Sequence, residues 1–503
     1  MLPTLWFRNT WAQSQAQPGE KPLLERIEAA PGTRAIAATH PTLGLYHLYF
    51  EGEAPLLVTE NETNNARLFP ALPNPAPWVK DGINNYVVQG QQSAVNPNER
   101  GTKASAHYRL KVGSRQSVAV RLRLTDGDSA LRGKEIRGGG SLFGTVFDET
   151  LAARLRDADA FYASLTPAPA TEDEARVMRQ ALSGMLWSKQ YYFFNLDDWL
   201  TEHQANPLRG GRKLIRNRGW FHMVNDNILS VPDKWEYPWY AAWDLAIHTI
   251  PLGMVDGDFA QEQLDLMLTQ PYLHPSGQIP AYEWNFSDVN PPVHAFATLF
   301  NYVQELQLGH ANIGNLKELF RRLLLNFTWW VNRKDPEGKN VFEGGFLGLD
   351  NIGVFDRSAP LPTGGTLQQA DGTAWMCFFC QNMLEIALEL AKHDPGYQDI
   401  ATKFAEHFFW IATAMSRVGT QEDDLWDEED GFFYDVLRFP DGSAERIKVR
   451  SMVGLLPLCA TVVLPADVNT SYPGFFKNID EFLARHRYML GPASVTRRSY
   501  VAF

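Results

Sequence analysis

Apolar and polar residues alternate strictly in two stretches of the first third of the chain. Tyr108, Leu110 and Val112 share one face, with Arg109 and Lys111 on the other. After a turn at Gly113-Ser114 the pattern repeats, with Val118, Val120, Leu122 and Leu124 on one side. A period of two predicts a hairpin with one buried face. Shorter strand patterns occupy Leu43 to Phe50 and Ala54 to Thr59. Leu5-Trp6-Phe7 predicts either a strand almost at the first residue or a chain that begins inside a domain. Gly, Pro and Asn punctuate the whole region, so a partial β-sandwich is expected over residues 1–165.

The period changes after the extended stretch Ser-Leu-Thr-Pro-Ala-Pro-Ala-Thr at 164–171. Thr171 and Glu174 form the T-x-x-E pattern of a capping box, and Ala175, Met178, Leu182 and Met185 follow at helical spacing. Further helices are predicted at about 240–254, 258–270, 293–307, 315–333, 370–392, 396–418, 451–461 and 476–489. No strand series alternates with them, which excludes a doubly wound sheet or a TIM barrel. A large helical toroid over residues 171–503, its helices alternating between inner and outer layers, is the expected architecture.

Composition narrows the function. A length of 503 residues allows two to four domains. The balance of 46 basic and 58 acidic residues gives −12, which opposes binding to nucleic acid or to anionic membranes. No apolar run has the ~18–20 residues of a membrane helix, and the first residues show no secretory pattern. Three cysteines, Cys377, Cys380 and Cys459, make no disulfide framework, and a cytoplasmic protein is expected. The 15 Trp residues are the informative excess, since indole suits both large cores and sugar-stacking clefts.

Four segments carry candidate chemistry. Trp235 to Asp244 is the densest, with Trp239 and Trp243 close to the acid. A carboxyl among indoles is poorly solvated, which raises its pKa and suits it to act as a general acid. Gly277 to Asn285 brings Gln278, Tyr282, Glu283 and Trp284 together, a mixture of fixed polar groups and aromatic faces that suits sugar hydroxyls. Glu343 to Arg357 holds Asp350 and Asn351, and Asp371 and Trp375 follow at the next helix start. These acids could equally pair with Arg357 or cap turns. The run Trp426-Asp427-Glu428-Glu429-Asp430-Gly431 invites a calcium reading but lacks the full loop spacing, so a solvated turn fits better and no metal or cofactor is expected. Cys377 and Cys380 lie in an apolar run and read as buried thiols.

Taken together, Lys234–His248, Gly277–His294, Leu349–Trp375 and Arg450–Leu458 resemble glycoside hydrolase family 63, in its bacterial glucosidase branch. That branch is related to mannosyl-oligosaccharide glucosidase and mannosylglycerate hydrolase. The resemblance implies an N-terminal β-sandwich, a catalytic (α/α)6 toroid and inverting hydrolysis of an α-glucoside or α-mannoside in an oligosaccharide or small glycoside. Carried over by position, Asp244 is the general acid. Trp243, Tyr282, Glu283, Trp284, Asp350 and Asn351 fall on the sugar subsite. The family's Glu base has no match before Phe503, so the chain is expected to be a fragment of a longer enzyme, its toroid incomplete and its activity dependent on the missing part. The alternatives are a carbohydrate-binding protein without catalysis, an (α/α)6 sugar phosphorylase or a trehalase-like enzyme.

Overall fold

The computed structural model describes residues 1–9, 11, 20–69, 71–126, 142–215, 221, 223–269, 272–282, 289–335, 337–349, 352–357, 359–417, 424–461 and 468–489. The chain divides into two compact units, Met1–Ser164 and Leu165–Phe503.

The first unit is built on two antiparallel sheets. One runs in the order β6 (Arg100–Gly101), β2 (Leu23–Ile27), β3 (Thr33–His40), β4 (Gly44–Glu51) and β8 (Leu122–Asp126). The other joins β1 (Thr4–Trp6), β7 (Lys103–Ala106) and β5 (Leu56–Thr59). Leu24, Ile36, Leu48 and Phe50 from the first sheet meet Leu56, Val58, Ala104 and Ala106 from the second in one core. On the opposite face Ala35 and Tyr49 pack against Phe143.

The hairpin predicted over 108–124 is only half right. Leu122–Asp126 pairs with β4, whereas His107 to Val112 forms no strand. The alternation there has no partner surface, and Leu110, Val112 and Val118 stay exposed. An unpredicted helix, Thr145–Leu165, runs to the end of this unit and displaces the start of the expected linker.

The second unit is mainly helical. Helix Glu172–Trp187 starts at the capping box, in which Thr171 Oγ1 accepts from the Glu174 N–H while the Glu174 carboxylate accepts from the Thr171 N–H. Three helical hairpins follow. They are Ala242–Gly253 with Gly257–Met267, His294–Leu308 with Ile313–Arg333, and Ala370–Ala391 with Tyr397–Arg417. The first member of each packs against the first member of the next. Apolar residues at helical spacing, such as Leu316, Leu319, Phe320, Leu323 and Phe327, fill the core between the layers. Helix Ala370–Ala391 is the most enclosed helix of this unit, with 18 of its 22 residues buried.

The segment expected as helix at 451–461 is a 3-10 turn over Met452–Cys459. Pro457 supplies no N–H there, which stops a regular α-helix. Small sheets break up the helical series. They are β9 (Lys189–Asn195) with β10 (Val224–Ser230), then β11 (Thr366–Gln368) with β14 (Asp435–Arg438) and β15 (Ala444–Ile447), and a short pair, β12 (Trp426–Asp427) with β13 (Phe432–Phe433). No helix among the described residues is long and apolar enough to cross a membrane.

Candidate active site

Helix Ala242–Gly253 presents Trp243 and Asp244 in its first turn. Its start is sewn to the second candidate segment. Ala241 bridges Tyr282 in antiparallel fashion, and the Ala242 N–H donates to Ala281 O at 3.1 Å. That segment is itself anchored from behind. Asn326 Nδ2 donates to Gly277 O at 2.8 Å, and Asn290 Nδ2 donates to Ala281 O at 3.3 Å. Gly277 has φ +91°, and a Cβ on it would lie 2.3 Å from Leu325 O, so only glycine fits this approach.

The third segment closes on the same point. Gly348, at φ +73°, lies against the Trp243 indole, where an added Cβ would sit 2.7 Å from Cζ2. Tyr282 meets Phe346 edge-on with ring centroids 6.0 Å apart. The Leu347 N–H donates to Val289 O at 3.2 Å. Segments far apart in the chain therefore converge around Trp243.

Asp244 is partly buried, and burial pushes its carboxyl above the usual range while its own backbone N–H pulls the other way. No cation among the described residues pairs with it. One turn on, His248 is held by Ser230 at 3.0 Å from Oγ to Nδ1, and burial lowers its pKa. Trp239 is partly buried, with Tyr237 at 4.9 Å between ring centroids. Gln278 lies on the anchored loop, where its carbonyl accepts from the His274 N–H at 3.0 Å.

The remaining expected site residues divide into three groups. Glu283, Trp284, Asp350 and Asn351 lie outside the described residues. Asp371, expected on the sugar subsite, has no exposed surface, and Arg357 Nη2 grips its Oδ1 at 2.5 Å. It is a framework group in this structure. Trp375 packs edge-on against Phe378 at 5.9 Å, beside the helical core.

The acidic run is also accounted for. Asp427 binds Arg446 at 2.7 Å and Lys448 at 2.8 Å, and Arg450 holds Asp430 at 2.6 Å. The Lys448 hydrogen bond leads in holding the Asp427 carboxyl down to about 2. Side-chain cations, in place of the calcium considered above, occupy these acids. Cys377 and Cys380 are buried in the helix core, which pushes both thiols up.

No family model matches the chain. An uncharacterized protein of Saccharomyces cerevisiae is 43% identical over 521 aligned positions, covering 96% of this chain and 47% of the relative. The chain thus spans about half the length of the curated relative it matches. Among solved structures, an uncharacterized conserved protein from Thermus thermophilus shows 19% identity and a TM-score of 0.35, over 51% of this chain and 71% of that one. A GH63 mannosylglycerate hydrolase from the same organism, in complex with glucose, shows 19% identity and a TM-score of 0.34, over 51% of this chain and 72% of its own. Superpositions this loose place no residue of this chain.

Sequence reading missed part of the site's frame. Within the segment from Glu343 to Arg357, Gly348 is the glycine that touches Trp243. Asp435, four residues beyond the acidic run, sends its side chain to the N-terminus of helix Ala370–Ala391, where its Oδ1 accepts from the Ala370 N–H at 2.8 Å. Spacing alone offered one hint, since Asp435 falls beyond the Gly431 turn, in a new strand register.

Proposed function

We propose that this chain carries the acid side of an inverting glycoside hydrolase acting on α-glucosides or α-mannosides. Asp244 protonates the oxygen of the departing group. The observation that carries the reading is the state of its carboxyl, which is lifted by burial and free of a cationic partner among the described residues, in the first turn of the helix that also carries Trp243. An ordinary surface Asp is ionised at neutral pH and has no proton to donate. Trp243 and Tyr282 offer flat faces to sugar C–H groups. Trp239, Gln278, Glu283, Trp284, Asp350 and Asn351 complete the proposed subsite, and Asp371 and Trp375 act from behind it.

Inversion needs a second carboxyl roughly 6.5–9.5 Å from the first, with a water between it and the sugar. The proposal assigns that base to a Glu outside residues 1–503, in keeping with a relative about twice as long.

The test uses the protein at its full natural length and two α-glucosides, one with an alkyl and one with a 4-nitrophenyl leaving group. Asp244→Asn should lower kcat for the alkyl glucoside by about 10²–10⁴, with KM nearly unchanged. The 4-nitrophenyl substrate, whose leaving group needs little protonation, should suffer much less. Equal losses on both substrates, or wild-type turnover, overturn the assignment.

A further inference from the structure

A cavity of about 440 Å³ lies beside the turn that follows helix Leu196–Glu202. That is the size of a small-molecule site, but such sites are mostly apolar and this one is not. Its side chains come from Thr201, Gln204, Asn206, Arg209, Arg212 and Lys213, with no carboxylate and no apolar side chain among them. In a chain of net charge −12, three cations gather around one concave surface. A cleft lined by one sign of charge concentrates ligands of the other.

The floor of the cavity is fixed. Asn206, 1% exposed, spends its side chain on the frame. Its Nδ2 donates to Asp197 Oδ1 at 2.5 Å and to Thr201 Oγ1 at 3.1 Å, and its Oδ1 accepts from the Leu208 N–H at 3.0 Å. Its carbonyl accepts from the Arg209 and Gly211 N–H groups at 3.2 and 2.8 Å. A Cβ on Gly211 would lie 2.5 Å from the Asn206 nitrogen, so the loop closes this tightly only with glycine there. Asp197 also orients the first cation, because its Oδ2 accepts from Arg209 Nη2 at 2.6 Å. A guanidinium has five N–H donors, and this bond uses one. Arg212 and Lys213 are exposed and have no partner among the described residues. Gln204 holds φ +57°, a conformation uncommon outside glycine and found where a ligand site stores strain.

We infer that this cavity binds the phosphate group of a small phosphorylated sugar or polyol. Charge selects the class. Three cations against the Asp197 carboxylate leave two positive charges unmatched. A phosphomonoester carries roughly −1.5 to −2 at neutral pH and three acceptor oxygens, so it matches them. A carboxylate would leave one cation over. Arg209, held as a fork by Asp197, fits phosphate geometry, and Lys213 supplies a point charge. The N–H groups of Arg209 and Gly211 are spent on Asn206, so side chains and not a backbone cradle take the anion. Without an apolar or aromatic side chain in the lining, a lipid tail or a nucleobase has no surface to rest on. The Gln204 amide can hydrogen-bond a hydroxyl. None of these residues belongs to the proposed sugar site, so the inference stands apart from that reading.

The test is calorimetric titration of the protein at its full natural length, in phosphate-free buffer, with D-glucose 6-phosphate, inorganic phosphate and D-glucose. D-glucose 6-phosphate should bind, and inorganic phosphate should bind more weakly. Both affinities should fall between about 50 and 500 mM KCl, because the cations are exposed. Arg212→Ala and Lys213→Ala should each weaken D-glucose 6-phosphate by about tenfold, with the melting temperature unchanged. Arg209→Lys keeps the charge and loses the fork, and it should also weaken binding by about tenfold. No binding of D-glucose 6-phosphate at low salt overturns the inference, as does binding that stays intact in the Arg212→Ala, Lys213→Ala double variant. Inorganic phosphate that binds as tightly as the ester overturns the sugar or polyol part. D-glucose that binds as tightly as its phosphate, with no change in the double variant, belongs to the sugar cleft and overturns the phosphate site. Should the double variant lose its cooperative melting, Lys213→Ala alone decides.

Discussion

Three glycines all have positive φ and differ in what surrounds them. Gly309, at φ +75°, has open space where a Cβ would go, Gly348 meets the edge of an indole, and Gly277 meets a main-chain carbonyl. Alanine at Gly309 should therefore cost about 1 kcal/mol, for the left-handed conformation alone. Gly348→Ala should cost more, because Trp243 must shift, and it should weaken sugar binding as well. Gly277→Ala should be the most damaging, since the Leu325 backbone cannot yield. Urea denaturation of the three variants checks the order. Asp244 makes a separate demand on pH. A general acid must keep its proton, so kcat should fall as pH rises through the elevated Asp244 pKa, and that alkaline limb should vanish in Asp244→Asn.

Elements whose stabilising contacts are local were the ones readable in advance. The capping box at Thr171 is complete within four residues, and Thr171→Ala should cost about 1 kcal/mol by thermal or urea denaturation. Helix spans such as Ala242–Gly253 and Ile313–Arg333 followed from apolar spacing because one face of each is buried in the core. The hairpin expected over 108–124 failed for the opposite reason. Alternation shows which face a strand would bury, but not whether a partner exists, and Leu110 and Val112 found none. Helix Thr145–Leu165 went unread because no residue of it is buried, so its apolar positions carry little period. At the site, the acid and its aromatic neighbours stood out as a cluster in the chain. Its frame did not, because Gly348 on Trp243 and Asp435 on Ala370 are pairings between segments that no spacing rule connects.

For the molecule as a whole, two groups with displaced pKa values make stability depend on pH in opposite directions. His294, 3% exposed, has its pKa pushed down by burial from 6.5 to about 4. The unfolded chain takes up that proton first, so this contribution is full above 6.5 and declines as pH falls toward 4. Asp435 is raised from 3.8 to about 7, so the folded chain keeps its proton longer. That contribution is full below about 4 and declines as pH rises toward 7. Between pH 4 and 6.5 the two trends offset. Denaturation at pH 5 and 6.5 should separate them. His294→Leu should leave stability falling with pH, and Asp435→Asn should leave it rising, each by a few kcal/mol at most.

The remote cap on helix Ala370–Ala391 also sets a timetable for synthesis. Ala370 waits for a carboxylate 65 positions later in the chain. At roughly 5–20 residues per second the ribosome needs about 3–13 s to cover that distance. During this interval the most enclosed helix of the unit has its first turn unfinished. Helix Ala242–Gly253 and its acid have by then long emerged. The nascent chain therefore holds Asp244 on a finished helix while helix Ala370–Ala391 still lacks its cap, which arrives only with β14.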